Sequence, residues 1–262
     1  MSADGRPLAL ITGGSEGIGF ELAKCLARDG YDLVLVARNP DKLQSALEAL
    51  RSTGVSLSVL PLDLSASGAA ERLLMEMKAR GRPVDVLVNN AGVGLYGPFA
   101  SSPLERNVEM MRLNMEALVG LTRLFVEEMV SRGRGRILNV GSTAGFQPGP
   151  LMAVYYASKA FVLSFSEALA NELRGTGVQV SVLCPGPTRT SFQARAGVGA
   201  LFRRNEMSAE RVAAIAYREF KRGAVTIVPG LVNRLLGLIV RLAPRAAVPP
   251  VVRWLQQKRA RA

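Results

Sequence analysis

The chain has 262 residues, 48% of them hydrophobic, with 26 glycines, a formal net charge of +12 and no histidine. This length suits one compact domain with a sizeable core. The missing histidine removes Ser/His/Asp and Cys/His nucleophilic chemistry and every histidine-bearing zinc pattern, so no metal is expected.

No apolar run reaches the ~18 residues of a membrane span. The start "MSADGRPLALI" lacks the basic, apolar and small-residue regions of a signal peptide, so a cytoplasmic chain is expected. Cys25 and Cys184, in segments that read as a helix and a strand, are expected to be reduced structural thiols.

In chain order, "LALI" (8–11) reads as an apolar strand, and Ile18, Leu22, Cys25 and Leu26 then recur at helical spacing. "DLVLVA" (32–37) predicts a second strand, followed after Pro40 by Leu43, Leu47 and Leu50 on one helical face. "SLSVLPL", "VDVLV" and "GRILNVG" predict strands three to five, with helical stretches near 67–79 and 107–132 between them. A helix around 152–174 leads to "VQVSVLC" (178–184), and "AVTIVP" (224–229) supplies a seventh strand. Alternating strands and helices of this kind predict an α/β fold, a single doubly wound parallel sheet of about seven strands covered on both faces. The expected division is one main α/β domain over 1–230 with a basic, apolar helical extension over 231–262.

Between the first strand and first helix stands "TGGSEGIG", Thr12 to Gly19. Glycines at such a turn let the backbone approach a pyrophosphate, whose charge is favoured by amides at the helix N-terminus. The spacing Thr-Gly-x-x-x-Gly-x-Gly, on Gly13, Gly17 and Gly19, resembles the short-chain dehydrogenase/reductase family. "NNAG" (89–92), Asp63 in "PLDLS", Asn114 in "RLNMEAL", Ser142 in "VGSTAG" and "PGPTRT" from Pro185 follow in that family's order.

The resemblance implies a Rossmann-type fold and a nicotinamide cofactor. That cofactor would be held by Gly13, Ser15, Gly17, Ile18, Gly19, Asp63, Leu64, Asn90, Ala91, Gly92, Pro185, Gly186, Thr188 and Thr190. Asp63 takes the adenine-contacting position, and Asn114 matches a residue that helps hold a proton-relay water.

In "AVYYASKAF" (153–161), Tyr155 lies four residues and Tyr156 three residues before Lys159, so helical geometry alone does not choose between them. The family's serine precedes its catalytic tyrosine by about thirteen positions. The resemblance therefore assigns Ser142, Tyr155 and Lys159, with Asn114, to catalysis and leaves Tyr156 to packing. A lysine ammonium beside a phenol is expected to lower its pKa by about 2 to 3 pH units, suiting Tyr155 to proton exchange. The resemblance further implies that Lys159, with Tyr155, holds the nicotinamide ribose.

An NAD enzyme usually carries an acid about 20 residues after the glycine turn, to bind the ribose 2′-hydroxyl. Here the second strand ends "VARNPDK", with Arg38 suited to a 2′-phosphate, so NADP(H) is expected in preference to NAD(H). Glu16, inside the glycine turn, is expected to point elsewhere.

The expected activity is interconversion of a ketone or aldehyde with an alcohol. The alternative is a cofactor-binding interaction or regulatory protein with incidental turnover. An apolar substrate pocket is expected from Tyr96, Phe99, Phe192, Leu201 and Phe202. Beyond Glu219 the chain has no acid, and the 231–262 stretch pairs leucines with arginines and Trp254. Peripheral membrane contact through this stretch is expected, as is a homo-oligomer. Nucleic acid is not an expected partner, because interleaved aromatics are missing.

Overall fold

The computed structural model describes residues 5–197 and 206–260. Its centre is a seven-stranded sheet in the order β3-β2-β1-β4-β5-β6-β9, and every neighbouring pair is parallel. The strands are β1 (Leu8–Thr12), β2 (Asp32–Ala37), β3 (Leu57–Pro61), β4 (Val86–Asn89), β5 (Gly135–Val140), β6 (Val178–Leu183) and β9 (Thr226–Ile227). A separate two-stranded pair joins β7 (Thr188–Arg189) to β8 (Met207–Ser208). β1 and β4 are continuous apolar runs buried on both faces, as central parallel strands must be.

The intervening helices are α1 (Gly17–Arg28), α2 (Pro40–Leu50), α3 (Ala69–Ala79), α4 (Leu104–Met111), α5 (Ala117–Ser131), α6 (Ala153–Glu172), the short α7 (Phe192–Arg195) and α8 (Ala209–Lys221). Local signals place them. Asn39 caps α2 by accepting from the Lys42 amide, and Pro40 occupies its first turn. On one sheet face Leu22, Leu26 and Leu43 pack with Val212 and Phe220. On the other, Leu73, Met77, Leu121 and Phe125 close the second core layer.

Three elements differ from the sequence expectation. The helix expected over 107–132 begins at Leu104 and is interrupted by a π-turn over Arg112–Glu116. α8 was not anticipated, although Ser208 caps it and Val212, Ala213, Ala216, Tyr217 and Phe220 recur at helical spacing on its buried face. The extension is two helices, α9 (Leu231–Leu242) and α10 (Val248–Ala260). Cys25 and Cys184 are free thiols, Cys184 buried.

The strand order reverses between β1 and β4, where chains leaving the two strands diverge to opposite sides of the sheet. A crevice opens there at the C-terminal strand ends.

Candidate active site

Thr12, the last residue of β1, lies opposite Asn89 of β4. Its Oγ1 accepts from the amides of Asn90 and Ala91, both at 3.0 Å, and donates to the Val88 carbonyl at 3.3 Å. Asn90 returns the tie, donating from Nδ2 to the Thr12 and Gly13 carbonyls at 3.0 and 2.9 Å. These five bonds tie the glycine turn to β4 and the "NNAG" turn as one floor. Gly13, at φ +62°, has no room for a side chain, because a Cβ would lie 2.7 Å from Asn90 Nδ2. α1 starts at Gly17 and aims its N-terminal amides at the crevice, an arrangement that favours an anion.

A buried polar network below this floor gives no local sequence signal. Asn89 donates from Nδ2 to Thr122 Oγ1 at 3.0 Å and to Asn139 Oδ1 at 2.9 Å, and Asn139 donates to Ser166 Oγ at 2.9 Å.

Ser142 follows β5 and opens a 3-10 turn over Thr143–Phe146 by accepting from the Ala144 amide at 3.1 Å. Tyr155 and Lys159 stand on the first turns of α6. Lys159 Nζ donates to the Val140 carbonyl at 2.8 Å and lies 5.9 Å from the Tyr155 ring centre. The Tyr155 ring also meets Phe192 at 5.5 Å and Tyr156 at 6.1 Å.

The expected lowering of the Tyr155 pKa does not hold. Burial pushes its phenol up to about 12, against the opposing pull of a hydrogen bond with Ser142. Burial likewise brings Lys159 down to about 8. Lys159 is buried and Tyr155 half-buried in the same cavity wall. Desolvation there disfavours either charge by more than the lysine, bonded to a carbonyl, offsets.

Asn114 sits in the π-turn, 1% exposed. Its Oδ1 accepts from the Val93 amide at 2.9 Å, while Nδ2 donates to the Val93 carbonyl and to Ser158 Oγ, each at 3.0 Å. Ser158 donates in turn to the Tyr155 carbonyl at 2.7 Å. The Asn114 side chain thus clamps the loop after β4 to the turn that carries Tyr155. A single π-turn in an α-helix frequently marks a functional site, and here it delivers that clamp.

A cavity of about 530 Å3 joins these parts. Gly13, Ser15, Gly17, Ile18, Arg38 and Leu64 line one end, and Asn90, Ala91 and Gly92 the middle. Ser142, Tyr155, Lys159, Pro185, Gly186, Thr188 and Thr190 line the remainder.

Three expected site residues stand back from the wall. Asn114 is the clamp just described. Gly19 lies under the Asn90 amide group. The Asp63 carboxylate, expected against an adenine ring, accepts instead from the amide and hydroxyl of Ser65 at 2.9 and 2.7 Å.

At the ribose end, Arg38 donates to Glu109 at 2.8 Å and stays half-exposed at the rim. Lys42 is a second cation on this wall, one that the sequence reading missed although it follows Arg38 by four residues. Glu16 does not point elsewhere. It lines the cavity, bound by Lys42 at 2.9 Å and by Arg195 of α7. Burial resists its ionisation, but hydrogen bonds from Lys42, Ser191 and Arg195 outweigh that and hold its carboxyl below the ordinary value.

At the other end Phe192 and Met152 form an apolar wall with Tyr155 and Tyr156. Tyr96 packs behind it, and Phe99 is 65% exposed. Leu201 and Phe202 lie outside the described residues. The extension roofs this end through Leu236 and Val240 of α9 and Val252 and Leu255 of α10. Two contacts pin the roof. Asn233 packs on Gly186, where a Cβ would meet its amide at 2.6 Å, and Gln256 Nε2 donates to Tyr156 Oη at 3.0 Å. Tyr156 is therefore an anchor for α10.

A sequence profile described as short chain dehydrogenase matches residues 7–199, the stretch that carries every motif above. The chain belongs to the short-chain dehydrogenase family. It is 36% identical over 177 residues to "Ketoacyl reductase HetN" of Nostoc sp., covering 68% of this chain and 62% of that protein. To the "NADP-dependent 3-hydroxy acid dehydrogenase YdfG" of Salmonella typhi it is 36% identical over 180 residues, 68% of this chain and 71% of that one.

A solved short-chain dehydrogenase from Sphingobium yanoikuyae in complex with NADPH superposes with a TM-score of 0.82 at 34% identity, covering 88% of this chain and 91% of that one. The chain spans from 51% to 75% of the length of these and similar curated relatives. Solved family members to which it is similar were determined with NADPH and with NADP. The tied glycine floor, the α1 N-terminus and the cations at the rim suit a charged dinucleotide in this cavity.

Proposed function

We propose that this short-chain dehydrogenase reduces a ketone or aldehyde to the alcohol with NADPH. The observation that carries this reading is the half-buried Tyr155 ring set beside Lys159 in a cavity wall it shares with Ser142 and the apolar Phe192 and Met152. Burial there raises the phenol pKa and keeps its proton on at neutral pH. The dinucleotide supplies a hydride when bound. Tyr155 Oη gives its proton to the carbonyl oxygen, and Ser142 Oγ donates a second hydrogen bond to that oxygen, stabilising the charge that develops on it. Lys159, fixed by the Val140 carbonyl, orients the ribose. The roof formed by α9 and α10 limits the entry of water.

NADPH is the proposed cofactor because no carboxylate ends β2, while Arg38 and Lys42 stand at that edge of the cavity. The named cofactor of the Salmonella relative supports the same reading. The apolar wall favours a bulky or lipid-like carbonyl compound, and relatives named as very-long-chain 3-oxoacyl-CoA reductases point toward 3-oxoacyl thioesters.

A panel of ketones, aldehydes and 3-oxoacyl thioesters, followed by loss of NADPH absorbance, tests the activity. Consumption with none of them contradicts the reading.

Cofactor titrations test the preference. A charge-assisted contact to phosphate contributes roughly 1.5 to 3 kcal/mol, so Arg38→Ala is expected to weaken NADPH by about tenfold or more and to leave NADH nearly unchanged. Equal affinity of the wild type for both cofactors would overturn the preference.

A further inference from the structure

We infer that α9 docks this chain on an anionic lipid surface, with the roofed mouth of the cavity turned toward the bilayer. The helix has two apolar sides. Leu236 and Val240, four residues apart, line the cavity, and the intervening Gly237 packs on the Phe146 ring. Leu231, Val232, Leu235, Leu238, Ile239 and Leu242 are 51% to 87% exposed and do not line it. A monomer rarely leaves so many large side chains in water along one helix without a partner. α10 adds exposed Val251 and Trp254, a residue type suited to the headgroup layer.

Charge decides between partners. Arg234, Arg241, Arg245 and Arg253 are all exposed beside these apolar residues, and the sequence has no Asp or Glu after Glu219. A second copy seated on this face would bring the arginines together; Glu219 offsets Arg234, but the extension itself carries no acid to offset the rest. An anionic headgroup layer offsets the arginines and takes up the leucines in one contact.

Among the described residues no helix is long and apolar enough to cross a membrane. At about 1.5 Å per residue, the 12 residues of α9 reach roughly 18 Å, well short of a ~30 Å hydrocarbon core, so the helix lies in the surface plane. The orientation of the mouth rests on the proposed active site; attachment itself does not.

Co-sedimentation of the full chain with mixed phosphatidylcholine–phosphatidylserine vesicles tests the attachment without measuring turnover. The wild type is expected to sediment at low salt, with affinity at least about tenfold weaker at high salt or on phosphatidylcholine alone. Leu235→Glu, Leu238→Glu and Leu242→Glu combined are expected to leave the chain in the supernatant, as are Arg241→Gln, Arg245→Gln and Arg253→Gln combined. Unchanged Tm and NADPH binding would show that both variants fold.

Wild type remaining in the supernatant at low salt overturns the inference. So does a glutamate variant that sediments like the wild type. If that variant instead converts a dimer to a monomer while vesicle binding persists, the face is a subunit contact and the inference fails.

Discussion

Tyr155→Phe is expected to lower kcat for NADPH-dependent carbonyl reduction by on the order of 10² or more while NADPH binding stays nearly unchanged. The ring that packs against Phe192 remains, and only the hydroxyl next to Ser142 is lost. Tyr156→Phe makes the same chemical change one residue later and is expected to alter turnover by no more than a few-fold. Its hydroxyl accepts from Gln256, so the loss falls on the α10 anchor, at about 1 kcal/mol of stability. Steady-state kinetics and thermal unfolding of both variants separate the roles. If Tyr156→Phe abolished turnover and Tyr155→Phe did not, the assignment would be reversed.

Lys159→Met is expected to make the protein more stable and nearly inactive. In the fold the lysine pKa falls from 10.5 to about 8, because burial disfavours the ammonium. Below about pH 8 both folded and unfolded chains carry this proton, so the fold bears the full cost of the buried charge. Between about 8 and 10.5 the folded lysine neutralises first and the cost fades, so wild-type stability gains with rising pH over that window.

The difference corresponds to roughly 3 kcal/mol, reduced by about 1 kcal/mol for the lost bond to the Val140 carbonyl. Methionine should therefore stabilise by about 2 kcal/mol at pH 7, and the advantage should shrink toward pH 10. Turnover should drop by on the order of 10², since nothing replaces the Nζ donor at the ribose. Denaturant unfolding at several pH values reads the first effect. A Lys159→Met protein less stable than wild type at pH 7 would contradict the electrostatic account.

The central strands could be read from the sequence because a parallel strand buried on both faces is a short, nearly unbroken apolar run, as Leu8 to Ile11 of β1 are. The glycine turn was equally readable, since its spacing reports a backbone requirement rather than a packing choice. The π-turn was not. It adds one residue to a helix whose apolar positions, including Met110, Leu113, Ala117 and Leu118, continue on both sides.

The ties that shape the cavity were hidden for another reason. Glu16 with Arg195, Tyr156 with Gln256 and Arg38 with Glu109 are 179, 100 and 71 residues apart, beyond any local spacing rule. The tyrosine pKa failed as an expectation on the same ground. Proximity to a lysine is visible in a Tyr-x-x-x-Lys spacing, whereas how far the phenol is desolvated depends on which parts of the fold meet around it.

In the proposed reduction the carbonyl carbon receives a hydride from NADPH while Tyr155 gives its proton to the carbonyl oxygen. NADPH deuterated at C4 of the nicotinamide, incubated with a reducible ketone and followed by mass spectrometry, tests it directly. The wild type is expected to give an alcohol with one deuterium on the carbinol carbon, and Tyr155→Phe almost none in the same time. Alcohol formed without deuterium from either C4 face, or equal labelling by the two proteins, would contradict the account.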